Sequence, residues 1–207
     1  MIKQGLFITF EGPEGCGKST HAKALKGYLE DQGHRVLLTH EPGGTQLGQN
    51  IREWLLDPKN NISKTSEIYL FGADRAEHVS QVILPALKKG KIVICDRYTD
   101  STIAYQVGGR GLPEDLVRYV NMTSSQGLIP DLTLLLDVSS EEGLKRAGQV
   151  GAADRFEREK ISFHKKVRAG YLTLAKNDPD RIRVVSTEDM KIITVQSAIR
   201  KIVNEKF

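Results

Sequence analysis

A glycine-rich segment near the start of the chain carries the clearest chemical signal. Residues Gly12–Ser19 read GPEGCGKS, which matches the pattern G-x-x-x-x-G-K-[ST] at every fixed position. In such a loop the glycines let backbone N–H groups turn inward around phosphate oxygens, and the following helix adds its positive end. Lys18 is expected to reach the outer phosphates, and the Ser19 hydroxyl to bind Mg²⁺. The segment predicts a nucleoside triphosphate site, but it leaves open whether water, a protein, a nucleoside or a nucleotide accepts the phosphoryl group.

A carboxylate and an arginine follow another apolar run. Asp96 and Arg97 come directly after IVIC. An aspartate at the end of a buried strand beside a phosphate loop is the Walker-B arrangement, which holds Mg²⁺, often through water. Arg97 can clamp a phosphate with two hydrogen bonds. Ser101, Tyr105 and Gln106 lie on the helix predicted next, where a tyrosine and a glutamine can border a sugar and a base edge.

Two further segments could hold a second ligand. Glu41 begins the sequence EPGGT beyond a predicted strand, and Arg52 lies on the helix that follows. Ligands of open α/β sheets bind at the carboxyl ends of strands. Phe71 and Arg75 share one face of an amphipathic helix, where a ring beside a guanidinium can stack on a base and bond its edge. The alternatives are a strand-to-helix turn, a core phenylalanine and solvated arginines.

Short apolar runs alternate with amphipathic segments along the chain and must position these residues. The runs are apolar throughout, which is typical of strands buried on both faces of a parallel sheet. The predicted strands are Leu6–Phe10, Val36–Thr39, Ile92–Cys95, Leu132–Asp137 and Ile182–Val185. The predicted helices include Lys18–Gln32, Ser66–Leu87, Pro113–Ser125, Asp154–Asn177 and Asp189–Asn204. This order predicts a single α/β domain over residues 1–207, with loops at Val107–Leu112 and Gly148–Ala153.

The composition excludes several classes of protein. The chain has 207 residues, of which 39% are hydrophobic and 27% charged, as is typical of globular domains. Cys16 and Cys95 are too few for a disulfide framework or a four-ligand zinc site. No apolar run is long enough to span a bilayer, so we expect a cytoplasmic protein without membrane partners. The net charge of +4 comes without a basic tract, which disfavours nucleic acid as a partner.

Four segments, taken in order, resemble bacterial thymidylate kinases: FEGPEGCGKST, EPGGT, LFGADRAEH and DRYTDSTIAYQ. The resemblance runs from about Leu6 to the C-terminal helix. It implies a three-layer α/β/α P-loop NTPase fold with a five-stranded parallel sheet, and a homodimer. It also implies Mg²⁺-dependent transfer of the γ-phosphoryl group of ATP to dTMP, which gives dTDP and ADP. The ATP-binding residues would be Gly12, Pro13, Glu14, Gly15, Cys16, Gly17, Lys18, Ser19 and Thr20.

The resemblance also implies how an acceptor nucleotide is recognised at its base and sugar. Phe71 would stack on thymine, while Arg75 and Gln106 would bond the base edge or nearby groups. Tyr105 would crowd the sugar 2′ position and so favour deoxyribose.

At the phosphate end of the acceptor, the resemblance assigns charged residues. Arg52 and Arg97 would hold the acceptor phosphate, and Glu11 would face the acceptor sugar or the metal. Glu41 and Ser101 would be further acceptor contacts. The alternative activities are a deoxynucleoside kinase, which would leave these arginines without an anionic partner, and a P-loop ATPase or switch acting on a macromolecule.

The segment expected to close over ATP departs from the family pattern. Such enzymes supply a transition-state arginine either from the phosphate loop or from a lid, and this phosphate loop contains no arginine. The lid segment is predicted near residues 146–155, and its interior, Gly148–Ala153, has no basic residue. We therefore hypothesise that Arg146 or Arg155 swings over the transferring phosphate, the alternative being arginines exposed at helix edges. Cys16 stands near a helix N-terminus, where a thiol can have a lowered pKa, so we also predict modest, ATP-protected alkylation. The alternative is that Cys16 is an inert small residue.

Overall fold

A parallel five-stranded sheet forms the centre of the structure. The computed structural model describes residues 5–149 and 151–207. The strands lie in the order β2-β3-β1-β4-β5. They are β1 (Phe7–Glu11), β2 (Val36–His40), β3 (Ile92–Asp96), β4 (Leu132–Asp137) and β5 (Ile182–Ser186). Every residue of β1 is buried, which explains its apolar sequence. The predicted five-stranded α/β fold is confirmed, and each strand boundary lies within one residue of its predicted position.

The strand order brings three of the predicted segments to one edge of the sheet. Phe10 at the end of β1 pairs with Asp96 of β3, and Asp96 pairs in turn with His40 of β2. The phosphate loop, EPGGT and Asp96-Arg97 therefore leave the sheet side by side. Strand β1 lies between β3 and β4. The chain forms β2 and β3 on one side of β1 before it crosses to β4 on the other, so this edge is also a point where the strand order reverses. Such a point is where open α/β sheets bind ligands.

Helices cover both faces of the sheet. They are α1 (Lys18–Asp31), α2 (Gln46–Leu56), α3 (Lys64–His78), α4 (Leu84–Lys88), α5 (Thr99–Thr102), α6 (Glu114–Ser124), α7 (Ser140–Ala147), α8 (Ile161–Asn177) and α9 (Ile192–Asn204). Two π-helical segments, Val79–Ile83 and Ile103–Gly109, continue α3 and α5. Leu25 and Leu29 of α1 pack with Ile199 of α9 on one face, and α8 encloses an aromatic cluster on the other. None of the helices in the described part of the chain has the length and apolar character needed to cross a membrane.

Two sequence predictions around α8 are wrong. The helix predicted from Asp154 begins at Ile161, because the Asp154 carboxylate accepts hydrogen bonds from the next turn, at 2.8 Å from the Phe156 N–H. The first part of the predicted loop at residues 107–112 is helical. A Cβ on Gly109 would lie 2.4 Å from the Phe163 ring, so this glycine permits close packing on α8 rather than a loop. In the other predicted loop, residues 148–149 form a turn and residues 151–152 a bend, and Val150 lies outside the described residues.

Candidate active site

The phosphate loop owes its shape to glycines that no other residue could replace. Gly12, Gly15 and Gly17 have φ angles of 140°, 66° and 89°, in the region that side chains rarely adopt. A Cβ on Gly15 would fall 1.9 Å from the carbonyl oxygen of Gly143 on α7. Helix α1 then starts at Gly17 without a side-chain cap. Its first N–H groups are therefore available to an anion, as the motif predicts.

Lys18 folds back across the loop. Its side chain is largely buried, and Nζ donates hydrogen bonds to the carbonyl oxygens of Gly12 at 3.1 Å and Pro13 at 2.8 Å. The ammonium group thus lies at the centre of the loop, in the position from which it can reach the phosphates of a bound nucleotide.

Cys16 does not behave as predicted. Its thiol is 1% exposed and lies 3.5 Å from Lys18 Nζ. Burial raises the pKa of Cys16, and this outweighs the lowering effect of the Lys18 and Arg97 charges. The prediction of a lowered thiol pKa is wrong, because the side chain turns into the core instead of toward the cleft.

Ser19 and Asp96 meet at the mouth of the loop. The Ser19 hydroxyl donates to Asp96 Oδ2 at 2.5 Å, so these side chains, far apart in sequence, form one pair of oxygen ligands. Hydroxyl and carboxylate oxygens are the ligands that Mg²⁺ prefers. The donor set therefore fits the predicted metal.

Two adjoining cavities open at this edge of the sheet. We call the larger one, of about 790 Å³, the donor cleft; it is lined by the phosphate loop and by Ser19 and Asp96. The smaller one, of about 120 Å³, is the acceptor pocket. Both cavities are lined by the same five side chains, which form a shared wall: Glu14, Glu41, Arg52, Arg97 and Asp154.

Arg97 is the most heavily bonded residue of the shared wall. Its backbone has a φ angle of 71°, an uncommon conformation that turns the side chain toward the loop. One guanidinium nitrogen donates to both carboxylate oxygens of Glu14 at 2.9 Å, and the other donates to Gly12 O, Ser101 and Tyr171. Although burial alone would raise the pKa of Glu14, the charges of Arg97 and Lys18 lower it to about 2. The positive charge of Arg97 is thus compensated by Glu14, which belongs to the phosphate loop.

Glu11 lies behind this wall and lines neither cavity. Its buried carboxylate accepts from the Tyr98 N–H at 2.8 Å, from the Tyr171 hydroxyl at 3.1 Å and from the Ser101 hydroxyl. Burial and the nearby charge of Asp100 raise the pKa of Glu11 to about 7. In this arrangement Glu11 contacts Ser101 and Tyr98, which do line the acceptor pocket.

The far end of the acceptor pocket is aromatic. Phe71, Arg75, Tyr105 and Gln106 line it together, as the sequence predicts. Phe156, which follows the predicted lid segment, also lines the pocket and was missed by the sequence analysis. The centroid of its ring lies 6.0 Å from that of Phe71 and 5.8 Å from that of Tyr105. An aromatic residue in the otherwise charged run DRFERE was the available signal.

Glu41 joins the EPGGT segment to α3. Its carboxylate accepts from Arg75 Nε at 2.8 Å and contacts His78 Nδ1 at 2.9 Å. Asp74 adds a second tie, since it accepts from the Gly43 N–H at 2.9 Å. Burial and the charge of Glu41 raise the pKa of Asp74 to about 6. These contacts tie α3, which carries Phe71 and Arg75, to the segment that follows β2.

The predicted lid arginines lie outside both cavities. Arg146 donates to Glu142 at 2.8 Å and to the Thr187 carbonyl at 3.1 Å. Arg155 donates to the Leu55 carbonyl at 2.7 Å and pairs with a buried glutamate of α3. The residues of this region that line the donor cleft are Ala147, Asp154 and Glu157. In this structure, therefore, neither arginine reaches the phosphate loop, whereas Arg52 does lie in the shared wall and donates to the Pro42 carbonyl at 2.9 Å.

The structure combines a parallel sheet, a phosphate loop after the central strand and a second pocket that shares two wall arginines with the donor cleft. These features define the class of P-loop kinases. A sequence profile of the thymidylate kinase family matches residues 10–199. The chain belongs to the thymidylate kinase family.

Individual relatives agree with this assignment. The chain is 46% identical over 206 residues to a thymidylate kinase of Desulfovibrio desulfuricans, which covers 94% of each chain. It is 49% identical over 188 residues to a thymidylate kinase of Geotalea uraniireducens, which covers 87% of this chain and 88% of the relative. The crystal structure of thymidylate kinase from Ehrlichia chaffeensis is similar, with a TM-score of 0.80 and 35% identity over 97% of this chain and 98% of that chain.

Proposed function

We propose that this protein transfers the γ-phosphoryl group of ATP to dTMP, giving dTDP and ADP, as one kinase domain with a lid near residues 146–155. The observation that carries the proposal is the shared wall: the donor cleft and the acceptor pocket adjoin, and Arg52 and Arg97 line both. A γ-phosphoryl group in the donor cleft and an acceptor phosphate in the pocket would meet at this wall. Family membership supports the same reaction.

On the donor side, the phosphate loop positions ATP through its backbone. The N–H groups of the loop and the uncapped start of α1 surround the phosphates, and Lys18 neutralises charge on the outer ones. Ser19 and Asp96 are the residues that would hold Mg²⁺, which neutralises charge on the β- and γ-phosphates when bound. Phosphoryl transfer depends chiefly on such positioning and charge neutralisation, so we assign these residues no covalent role.

On the acceptor side, Arg97 is occupied before the substrate arrives. Its ion pair with Glu14 has two bonds of 2.9 Å, so a nucleotide phosphate that binds Arg97 has to replace this carboxylate. The released Glu14 keeps its contact with Tyr105, whose hydroxyl donates to it at 2.6 Å. Phe71 offers its ring to the base, and Arg75, held by Glu41, offers donors to the base edge.

The transition-state arginine remains a prediction. To reach the donor cleft, Arg146 would have to leave Glu142 and the Thr187 carbonyl. Arg155 would have to leave the Leu55 carbonyl and Glu67, and of the two arginines only Arg110 would then hold Glu67. Closure of the lid would also exclude water, which prevents hydrolysis of ATP.

We also propose that two copies of the chain associate through α2, α3 and α6, in the cytoplasm. These helices are neighbours and expose large apolar side chains: Trp54 (64%), Tyr69 (56%), Tyr119 (63%) and Met122 (58%). Large apolar side chains exposed on neighbouring helices are typical of a protein interface. Light scattering of Tyr119→Glu is expected to show a monomer where the parent protein shows a dimer, and an unchanged mass would contradict the proposal.

A comparison of acceptors tests the proposed reaction. A coupled ADP-release assay with dTMP, dCMP and thymidine at fixed ATP and Mg²⁺ is expected to give turnover predominantly with dTMP. Higher turnover with thymidine would instead indicate a deoxynucleoside kinase, and ADP release that no acceptor stimulates would indicate an ATPase.

A further inference from the structure

A buried carboxylate lies directly behind the base end of the acceptor pocket. Glu67 of α3 is fully buried, and three side chains donate to it. Gln106 Nε2 lies 2.9 Å from its Oε1, and Arg110 Nε lies 3.0 Å from the same oxygen. Arg155 pairs with Oε2 at 2.6 Å, and Arg110 also reaches Oε2 at 3.2 Å. The proposed reaction assigns no role to Glu67.

The contact with Glu67 determines which way the Gln106 amide points. A carboxylate between two guanidinium groups offers only acceptor atoms, so the NH₂ group of Gln106 has to face it. The amide oxygen of Gln106, Oε1, therefore points away from Glu67. It accepts no hydrogen bond from the residues that the structure describes. Since Gln106 lines the acceptor pocket, this oxygen is available to a ligand there.

The resulting pattern of polar atoms selects among bases. Gln106 presents an acceptor, and Arg75, which lines the same pocket, presents only donors. A pyrimidine with N3–H next to a C4 carbonyl complements this pair. Cytosine has the opposite pattern, an N3 acceptor next to a C4 amino donor, and would leave two buried polar contacts mismatched. Such mismatches are penalised far more strongly than the loss of an apolar contact.

We propose that Glu67 is a positioning residue that determines base specificity, by fixing the Gln106 amide so that the pocket binds thymine-type and rejects cytosine-type nucleotides. This inference rests on the proposed acceptor site for dTMP. Arg110 and Arg155 hold Glu67 in place. The base specificity therefore depends on these three side chains as well as on Gln106.

The test is the ratio of kcat/KM for dTMP to kcat/KM for dCMP. In Glu67→Gln the new amide can offer either an acceptor or a donor, so the Gln106 amide is free to turn over. We expect the ratio to fall by about 10-fold or more, mainly through the two KM values, while KM for ATP stays unchanged. Glu159→Gln is the matched control, because Glu159 pairs with Arg110 in the same cluster but does not contact Gln106. The control is expected to keep the parent ratio.

Two further measurements keep the inference falsifiable if Glu67→Gln does not fold. The double variant Glu67→Gln/Arg110→Gln removes one charge of each sign and is expected to show the same loss of selectivity. A crystal structure of the unmodified protein with dTMP should place base N3 within hydrogen-bond distance of Gln106 Oε1. If the variants keep the dTMP to dCMP ratio of the parent protein, Glu67 does not determine base specificity. The same conclusion follows if base N3 faces a residue other than Gln106 in the crystal structure. Failure of the unmodified protein to phosphorylate dTMP would instead refute the proposed reaction.

Discussion

The donor cleft and the acceptor pocket share a wall but are built in different ways. The donor cleft takes its phosphate-binding groups from one continuous stretch, residues 12–20, and largely from the backbone. The acceptor pocket combines side chains that follow β1, β2 and β3 with side chains from α2 and α3, and with Asp154 and Phe156. A site made of backbone groups needs a local sequence pattern, whereas a site made of dispersed side chains needs the whole fold.

The helices that start beside the two sites show the same difference. Helix α1 begins at Gly17 without a side-chain cap, so its N-terminal N–H groups stay available to phosphate. Helix α2 begins at Thr45, whose hydroxyl accepts from the Gly48 N–H at 3.0 Å. The helix on the donor side therefore uses its end for ligand binding, while the helix on the acceptor side uses its end for stability.

The largest expected effect comes from the proposed lid, residues 146–155, whose Asp154 lines both sites. If Arg146 or Arg155 stabilises the transferring phosphoryl group, its replacement by alanine lowers kcat by about 10³-fold or more. Arg155→Ala should in addition raise KM for dTMP, because Arg155 holds Glu67 behind the pocket. Steady-state kinetics with Arg183→Ala, an exposed ion-pair partner of Glu205, as the control would measure this. Parent-level kcat in both lid variants would refute the hypothesis.

Removal of the phosphate-loop lysine should affect the donor side alone. We expect Lys18→Ala to lower kcat by about 10²–10³-fold, because a preorganised positive charge at the phosphates is lost. The dissociation constant of dTMP, measured by calorimetry without ATP, should stay close to the parent value, since Lys18 does not line the acceptor pocket. Lys26→Ala, further along α1 and outside both cavities, is the control. A loss of dTMP affinity as large as the loss of kcat would show that the two sites are not separable.

Loss of an aromatic ring should affect the acceptor side alone. Phe71→Leu and Phe156→Leu are each expected to raise KM for dTMP by about 10-fold, as stacking on a base typically contributes about 1–3 kcal/mol. KM for ATP should not change, and Phe207→Leu, at the far end of the chain, should behave like the parent protein. An equal rise in both KM values would mean that the rings support the fold instead of the base.

The smallest expected effect concerns the two capped helix starts. Thr45→Ala should lower the free energy of unfolding by about 1 kcal/mol, because the Gly48 N–H loses its acceptor. Ser63→Ala, which removes the cap of α3, should cause a similar loss. Urea unfolding followed by circular dichroism measures both. An unchanged midpoint in the two variants would show that solvent satisfies these N–H groups equally well.

Local signals predicted much of this protein. Apolar runs identified all five strands because both faces of the sheet are covered, and the phosphate loop was complete as a pattern. Periodicity failed at Asp154, where a side chain competes with the helix, and at Gly109, where a glycine serves packing. The thiol of Cys16 was misjudged because the direction in which a side chain points is decided by the core.

The sequence by itself determined the class of fold and the nucleotide-binding loop, since both depend on residues that are neighbours along the chain. Only the tertiary structure showed that Arg97 is paired with Glu14, that Phe156 lines the acceptor pocket and that Gln106 donates to Glu67. The physical reason is that these contacts join residues that are distant in the sequence. Glu67 and Gln106 are 39 positions apart, and Glu14 and Arg97 are 83 positions apart. Their geometry depends on how strands and helices pack, and no local pattern encodes it.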